Sequence, residues 1–363
     1  MQLSDDHRVG LYFNRTGVPL FLLATSKDVG LEPLRITDLS LIPMLISESS
    51  ELVDRTFVEF VRAFFAAGGS ELRVIAVQLQ STDDFAKLML GEDRGFRQKS
   101  GSHAVLQYDG LTDLIAIPQA PIFLGTDELM RFYSSVLCVT GEIEHCILLT
   151  DPPRYDSVAD LIAWASKFNH PRVTISYPWM LVDHQWFTPP SVVMAALIQK
   201  NDRLRSIADS PANQQLCSRI SPNKCFSRYD LSLLNQAHIN VFIEKANRDV
   251  VLWGSYTSSK SHGHETALPV ARTIGSIRDA VARTVEPYLM EPRTPKSCSD
   301  IEFSLNKLFS KLHQKRIFSQ TKEPFQIECF YRNQARFSDA SIDIDIRFVI
   351  DRAESYLGLN CGY

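Results

Sequence analysis

No stretch of this chain approaches the roughly 18–20 consecutive apolar residues that a membrane-spanning helix needs, which excludes an integral helical membrane protein. A dominant charge is missing too. Its 38 basic and 42 acidic residues leave a net charge of −4, too small a field to gather nucleic acid or an anionic membrane. Cysteines are few, odd in number and scattered, at 138, 146, 217, 225, 298, 329 and 361, without a CxxC pair. That pattern excludes a disulfide framework and a structural zinc site, and leaves thiols packed as small hydrophobes. The opening MQLSDDHRVGLYF lacks the basic start and apolar centre of a secretory signal, so the expectation is synthesis in a cytoplasm.

Catalytic signatures are equally scarce. There is no GxGxxG after a strand, no GxxxxGK[ST], no GxSxG elbow and no HExxH. His262-Gly263-His264-Glu265 sits in a Ser/Lys/Gly-rich loop without further ligands nearby, so no metal and no cofactor are expected. Asp151 in LLTDPP ends a strand, where α/β enzymes place catalytic groups. Pro152 and Pro153 remove two N–H groups that could hold an anion there, and a turn-forming Asp fits better. Tyr177 and Trp179 flank Pro178, and they read as packing under a loop more readily than as a ligand platform.

What is present is a core. At 45% hydrophobic and 22% charged, the 363 residues have the balance of a chain that buries one large domain or two ordinary ones. Apolar positions Phe57, Phe60, Val61, Phe64 and Phe65 predict a helix that stops at Gly68-Gly69. ELRVIAVQ, LTDLIAIP, EHCILLTDPP and RVTISYPWMLV read as strands, with helices near 127–139 and 157–167 between them. This alternation predicts an α/β fold: a largely parallel sheet flanked by helices. The last third changes to α+β. INVFIEKANRDVVLW predicts a hairpin and is followed by helices near 271–289 and 299–315, interrupted by Pro292 and Pro295. SIDIDIRFVI then alternates Ile342, Ile344, Ile346 and Phe348 against polar residues, a strand with one buried face. The polar stretch 217–230 is the expected domain boundary.

In their order, these segments resemble the tail sheath proteins of contractile phages and phage-tail-like particles. HRVGLYF is similar to that family's opening strand, and FVRAFFAAGGSELRVIAV to its helix, double glycine and strand. LIAIPQAP, HCILLTDPP, ISYPWMLV and PPSVVMAALIQKNDRLRSIADSPAN follow in family order. LNQAHINVFI and VVLWGSYTSS resemble the hairpin with its Trp-Gly pair, VEPYLMEPRT the link between long helices, and RAESYLGLN the terminal arm. The chain departs from the pattern at His238, where the family has glycine, and at Val192-Val193-Met194, where small residues are common.

The resemblance implies a structural subunit, not an enzyme. It implies a C-terminal α/β core domain smaller than the sheet domain, with exchanged N- and C-terminal arm strands. The implied divisions are an N-terminal arm (1–18), an outer α/β domain (19–225) with a reduced insertion at 79–110, an inner tube-facing domain (226–350) and a C-terminal arm (351–363). Val9, Leu11, Tyr12 and Phe13 on one arm, and Ala353, Tyr356, Leu357 and Leu359 on the other, would pair with neighbouring copies. Asp351 and Arg352 would be the hinge. Lys307, Lys311 and Lys315 step by one helical turn and Arg316 follows, a basic stripe suited to an acidic inner tube. Implied partners are copies of itself in a helical sheath, the inner tail tube protein, and baseplate and terminator proteins. Nucleic acid would not be touched, and the target membrane only indirectly. The implied location is the tail of a virion or phage-like particle, assembled in a bacterial cytoplasm. The competing reading is a soluble α/β enzyme or small-ligand binding protein with its site at the sheet's C-terminal edge, near Asp151 and Tyr177.

Overall fold

The computed structural model describes residues 16–30, 32–42, 51–93, 95, 99–108, 112–143, 145–183, 186–216, 219–247, 249–261, 263–318, 323–332, 341–350 and the backbone of 353–360. The expected N-terminal arm residues Val9, Leu11, Tyr12 and Phe13, the hinge Asp351-Arg352, and His262 lie outside them.

A continuous apolar run, PLFLLAT, forms β1 (Pro19–Thr25), and all seven of its residues are buried. Alternate side chains feed two separate cores: Leu20, Leu22 and Ala24 enter one, Phe21 and Leu23 the other. A strand covered on both faces needs no polar side, which is why it reads as an unbroken hydrophobic stretch. Around it are β2 (Leu34–Ile36), α1 (Leu52–Ala66), β3 (Leu72–Gln78), α2 (Phe85–Leu90), β4 (Leu114–Ala116), α3 (Thr126–Val139), β5 (Ile147–Thr150), α4 (Val158–Ala165) and β6 (Val173–Tyr177). Helix α1 ends as the double glycine requires, Gly68 holding φ +99°. The expected reduced insertion is part of the core: Phe85, Met89, Ala104 and Val105 are buried beneath the sheet.

Beyond β6 come β7 (Met180–Val182), β8 (Trp186–Thr188), α5 (Pro190–Leu204), β9 (Ile220–Pro222), α6 (Arg228–Gln236), β10 (Ile239–Glu244) and β11 (Val250–Trp253). Strands β8, β7 and β9 make a small antiparallel sheet. The main sheet has eight strands in the order β11-β10-β6-β5-β4-β1-β3-β2. Its centre is parallel and only the edge pairs β10/β11 and β2/β3 are antiparallel. Helices α2, α3, α4 and α6 cover one face, α1 and α5 the other. Val192-Val193-Met194 belongs to α5, a helix buried nearly all round, where larger side chains fill the second core.

The division expected at residue 225 falls before the last two strands of the large sheet. The hairpin β10–β11 belongs to the large sheet, because Ile239 and Val241 enter one core while Phe242, Val250 and Leu252 enter the other. A hairpin apolar on both faces needs two covers, and only the large sheet offers them. The second unit therefore starts at α7 (Leu268–Val285), continues through α8 (Pro295–Gln314) and ends in a sheet of β12 (Phe325–Arg332), β13 (Ser341–Ile350) and β14 (Ala353–Asn360). Pro295 does not interrupt a helix but begins α8, where its missing N–H is harmless, and the Thr294 hydroxyl accepts from Ser297 N–H at 3.1 Å. His238, noted above as a departure from glycine, has a left-handed backbone with φ +57°. Its ring stacks on Tyr256 with centroids 5.4 Å apart, and Nδ1 lies 2.7 Å from the Ser259 carbonyl, which offsets the strain.

One buried ion cluster joins the two units. Arg272 on α7 donates to both oxygens of Asp202 on α5, at 3.0 and 2.6 Å, and also to Asp113 ahead of β4. Asp113 accepts from Gly17 N–H at 2.8 Å, so the segment entering β1 is held at the same point. A Cβ on Gly17 would stand 2.9 Å from an Asp202 oxygen, so only glycine fits there. Burial raises the Asp202 pKa against the pull of Arg272, while the two carboxylates outweigh burial and keep Arg272 charged.

Candidate functional site

The segment expected as the C-terminal arm forms strand β14 (Ala353–Asn360). In this single chain β14 pairs antiparallel with the chain's own β13, from Ile350↔Ala353 to Asp343↔Asn360. Residues 351–352 are all that separate the two strands, and so short a connection makes local closure easy. The side chains of Tyr356, Leu357 and Leu359 lie outside the described residues; their register places them opposite Arg347, Ile346 and Ile344. Strand β13 is the middle strand and pairs over eight positions with β12 on its other side. Its inward residues Ile342, Ile344, Ile346, Phe348 and Ile350 are buried against α7 and α8. Phe309 of α8 locks the layer, meeting Phe318, Phe325 and Phe348 with centroids 5.4, 5.4 and 6.1 Å away.

The opposite face of α8 carries the expected basic stripe in shortened form. Lys307 is exposed and Lys311 half-buried on the helix. The helix ends at Gln314, with Lys315 as its cap and Arg316 turning away at φ +59°. Partial burial lowers the Lys315 pKa from its ordinary value. The stripe on the helix proper is thus Lys307 and Lys311, with Lys315 and Arg316 just beyond its end. Sequence reasoning passed over Phe303, one turn before Lys307, whose side chain is 72% exposed. Its signal is legible in retrospect: Ile301, Leu305, Leu308, Phe309 and Leu312 make the buried stripe, and Phe303 falls outside it.

At the sheet's C-terminal edge the polar groups are committed to each other. Asp151 is fully buried and accepts from the Ser191 N–H at 2.7 Å and the Ser191 hydroxyl at 2.6 Å, clamping the start of α5. Its own N–H donates to the Tyr133 hydroxyl. Trp179 Nε1 donates to the Pro152 carbonyl, and Tyr177 OH to the Tyr155 carbonyl. The Arg154 guanidinium lies 4.7 Å from the Trp179 ring and 4.5 Å from that of Phe187. Among the described residues no group of three or more His, Cys, Asp or Glu is placed to hold a metal, and no helix is long and apolar enough to cross a membrane.

Burial pushes the Asp151 carboxyl up to about 7, and the Ser191 hydrogen bonds only partly oppose it. A carboxyl whose pKa is raised on folding stabilises the fold below its unfolded pKa and loses that contribution as pH rises through 7. Denaturant midpoints should therefore fall between pH 5 and pH 8, and Asp151→Asn should flatten that decline. An identical slope in both proteins would assign it to other groups.

With the geometry described, the relatives become informative. Residues 141–258 match the family model described as the phage tail sheath protein central domain, spanning β5 through the β10–β11 hairpin. The matched segment, about a third of the chain, is similar to a tail sheath central domain. No curated protein sequence matches it. Among solved structures, this chain is similar to a chain of the anti-feeding prophage baseplate, with TM-score 0.74, 20% identity and coverage of 93% of this chain and 90% of that one. It also matches the contracted helical sheath of the same prophage, with TM-score 0.70, 20% identity and coverage of 95% and 92%. A third match is the contracted sheath complex of an extracellular contractile injection system, PVC, with TM-score 0.66, 18% identity and coverage of 88% and 82%. At such identities the likeness is one of fold. It extends over both units of the chain, well beyond residues 141–258.

Proposed function

We propose that this protein is a structural subunit of a contractile sheath in a phage-tail-like particle, polymerising around an inner tube by exchange of its terminal strands. The supporting observation is β14, a strand joined to β13 by two residues within a sheath-type fold. Opening that hairpin frees an arm of eight residues that can complete the same three-stranded sheet on a neighbouring copy. Asp351-Arg352 would be the hinge. The segment containing Val9, Leu11, Tyr12 and Phe13 would be the second arm, leaving from the Arg272 cluster. No catalytic step and no cofactor enter this reading; the contracted lattice supplies the driving energy. Baseplate and terminator proteins would bound the polymer, with assembly in the bacterial cytoplasm.

The exposed face of α8 fits the inner tube protein. Lys307 and Lys311 would meet acidic groups, with Lys315 and Arg316 extending the basic surface, and Phe303 would enter an apolar depression between them. Reversing the charge at both Lys307 and Lys311 should abolish co-sedimentation with tubes while circular dichroism and melting stay unchanged. Phe303→Ser should weaken attachment by about tenfold or more. Unchanged co-sedimentation of both variants would remove α8 from the interface. The broader reading is tested by electron microscopy of the purified chain, which should show tubes or rings; a small defined oligomer at every concentration would refute it.

A further inference from the structure

Strand β8 passes into α5 through Pro189 and Pro190, neither of which has an N–H to give. Ser191 therefore supplies the first amide of that corner, and Asp151 accepts both it and the Ser191 hydroxyl, at 2.7 and 2.6 Å. The segment carrying Asp151 is held from behind. Tyr133 of α3 accepts the Asp151 N–H at 3.2 Å, and Trp179 donates to the Pro152 carbonyl at 3.0 Å. The Asp151 carboxylate is fully buried, and among the described residues no Lys, Arg or His pairs with it. The groups facing it are Tyr133 from α3 and Ser191 from α5, while Arg154, three residues on, lies over the rings of Trp179 and Phe187. Thr188, the last residue of β8, is also fully buried, and its hydroxyl has no hydrogen-bond partner among the described residues.

A charge in such a site loses the hydration that water would give it, and two hydrogen bonds restore only part of that loss. Once the corner opens, the same carboxyl returns to water and to the ordinary aspartate pKa of about 4. Held shut, it titrates at about 7, because burial outweighs the Ser191 bonds. The closed corner thus binds a proton more tightly than the open one, and the bound proton favours closure. We propose that Asp151 and Ser191 form a proton-operated latch on the corner between β8 and α5, closed when Asp151 is protonated and loosened when it ionises. Strand β8 pairs with β7 over three positions only. Freeing the corner therefore frees the strand that carries the half-exposed Trp186 and Phe187. The latch belongs to the single chain and does not depend on sheath assembly.

The test is hydrogen exchange of the full chain, read by mass spectrometry on peptides covering 186–195 between about pH 5 and pH 8. Each rate is divided by the intrinsic exchange rate at that pH, at a concentration where the chain is monomeric. Opening of the corner should grow about tenfold per pH unit up to pH 7 and then level off, while α8 keeps constant protection. Asp151→Asn can accept the Ser191 N–H without ever ionising, and it should remove the pH dependence. Ser191→Ala is a milder change that takes one hydrogen bond from the charged form, and it should move the levelling point up by about one pH unit. Constant protection of 186–195 between pH 5 and pH 7 in the wild type would overturn the latch. So would a slope that persists in Asp151→Asn, or one shared equally by α8, which would mark global unfolding.

Discussion

Replacing Arg272 with alanine should destabilise the protein by about 3–5 kcal/mol, because two buried carboxylates, Asp113 and Asp202, lose the charge that both face. The side chain is 2% exposed, so water cannot replace it. The loss should concentrate at the junction: hydrogen exchange should accelerate in α7 and around Gly17 before it does in the central strands. Chemical denaturation provides the number. The triple variant Arg272→Met, Asp113→Asn, Asp202→Asn should recover much of the loss, since removing all the charges leaves none unpaired. A loss below about 1 kcal/mol for Arg272→Ala would mean that the cluster is solvated and that the junction rests on apolar packing alone.

The second large effect concerns the last strand. Val349 and Glu354 face each other across β13 and β14 next to the connection, so cysteines at both positions can pin the hairpin shut. With the exposed Cys138 and Cys225 changed to serine, the oxidised double-cysteine protein should remain monomeric at concentrations where the reduced form makes tubes. Light scattering and electron microscopy would show the difference as nearly all or none, restored by adding reductant. Tubes that form equally well from the pinned protein would sink strand exchange as the means of polymerisation, while leaving the likeness in fold to sheath proteins untouched.

These two features differ sharply in how visible they were beforehand. The alternation Ile342, Ile344, Ile346, Phe348 announced β13, because a strand with one wet face writes its period into the sequence. The central strand β1 gave no such signal, since PLFLLAT is buried on both sides and shows no period. The hairpin at 239–253 was readable as a hairpin, but its sheet was not; pairing with β6 is set by contacts to residues more than sixty positions away. Arg272 was less legible still. It lies on an amphipathic helix like any surface arginine, and its partners stand 70 and 159 residues distant. The basic stripe was found through local spacing, while Phe303 beside it was missed because aromatic residues are read as core by default. Asp151 was read as a turn former, and the clamp it makes on the start of α5, forty residues away, left no local signal.

The placement of β13 in the middle of its sheet carries a thermodynamic consequence. A closed hairpin and a swapped junction contain the same ladder of bonds, only with the third ribbon donated by a different molecule, so those bonds nearly cancel in the equilibrium between single subunits and polymer. If the arm does exchange, growth of a filament would be governed by subunit concentration and by the surfaces that meet only once copies are side by side. The threaded strands would then contribute endurance, since no link breaks without a whole row letting go.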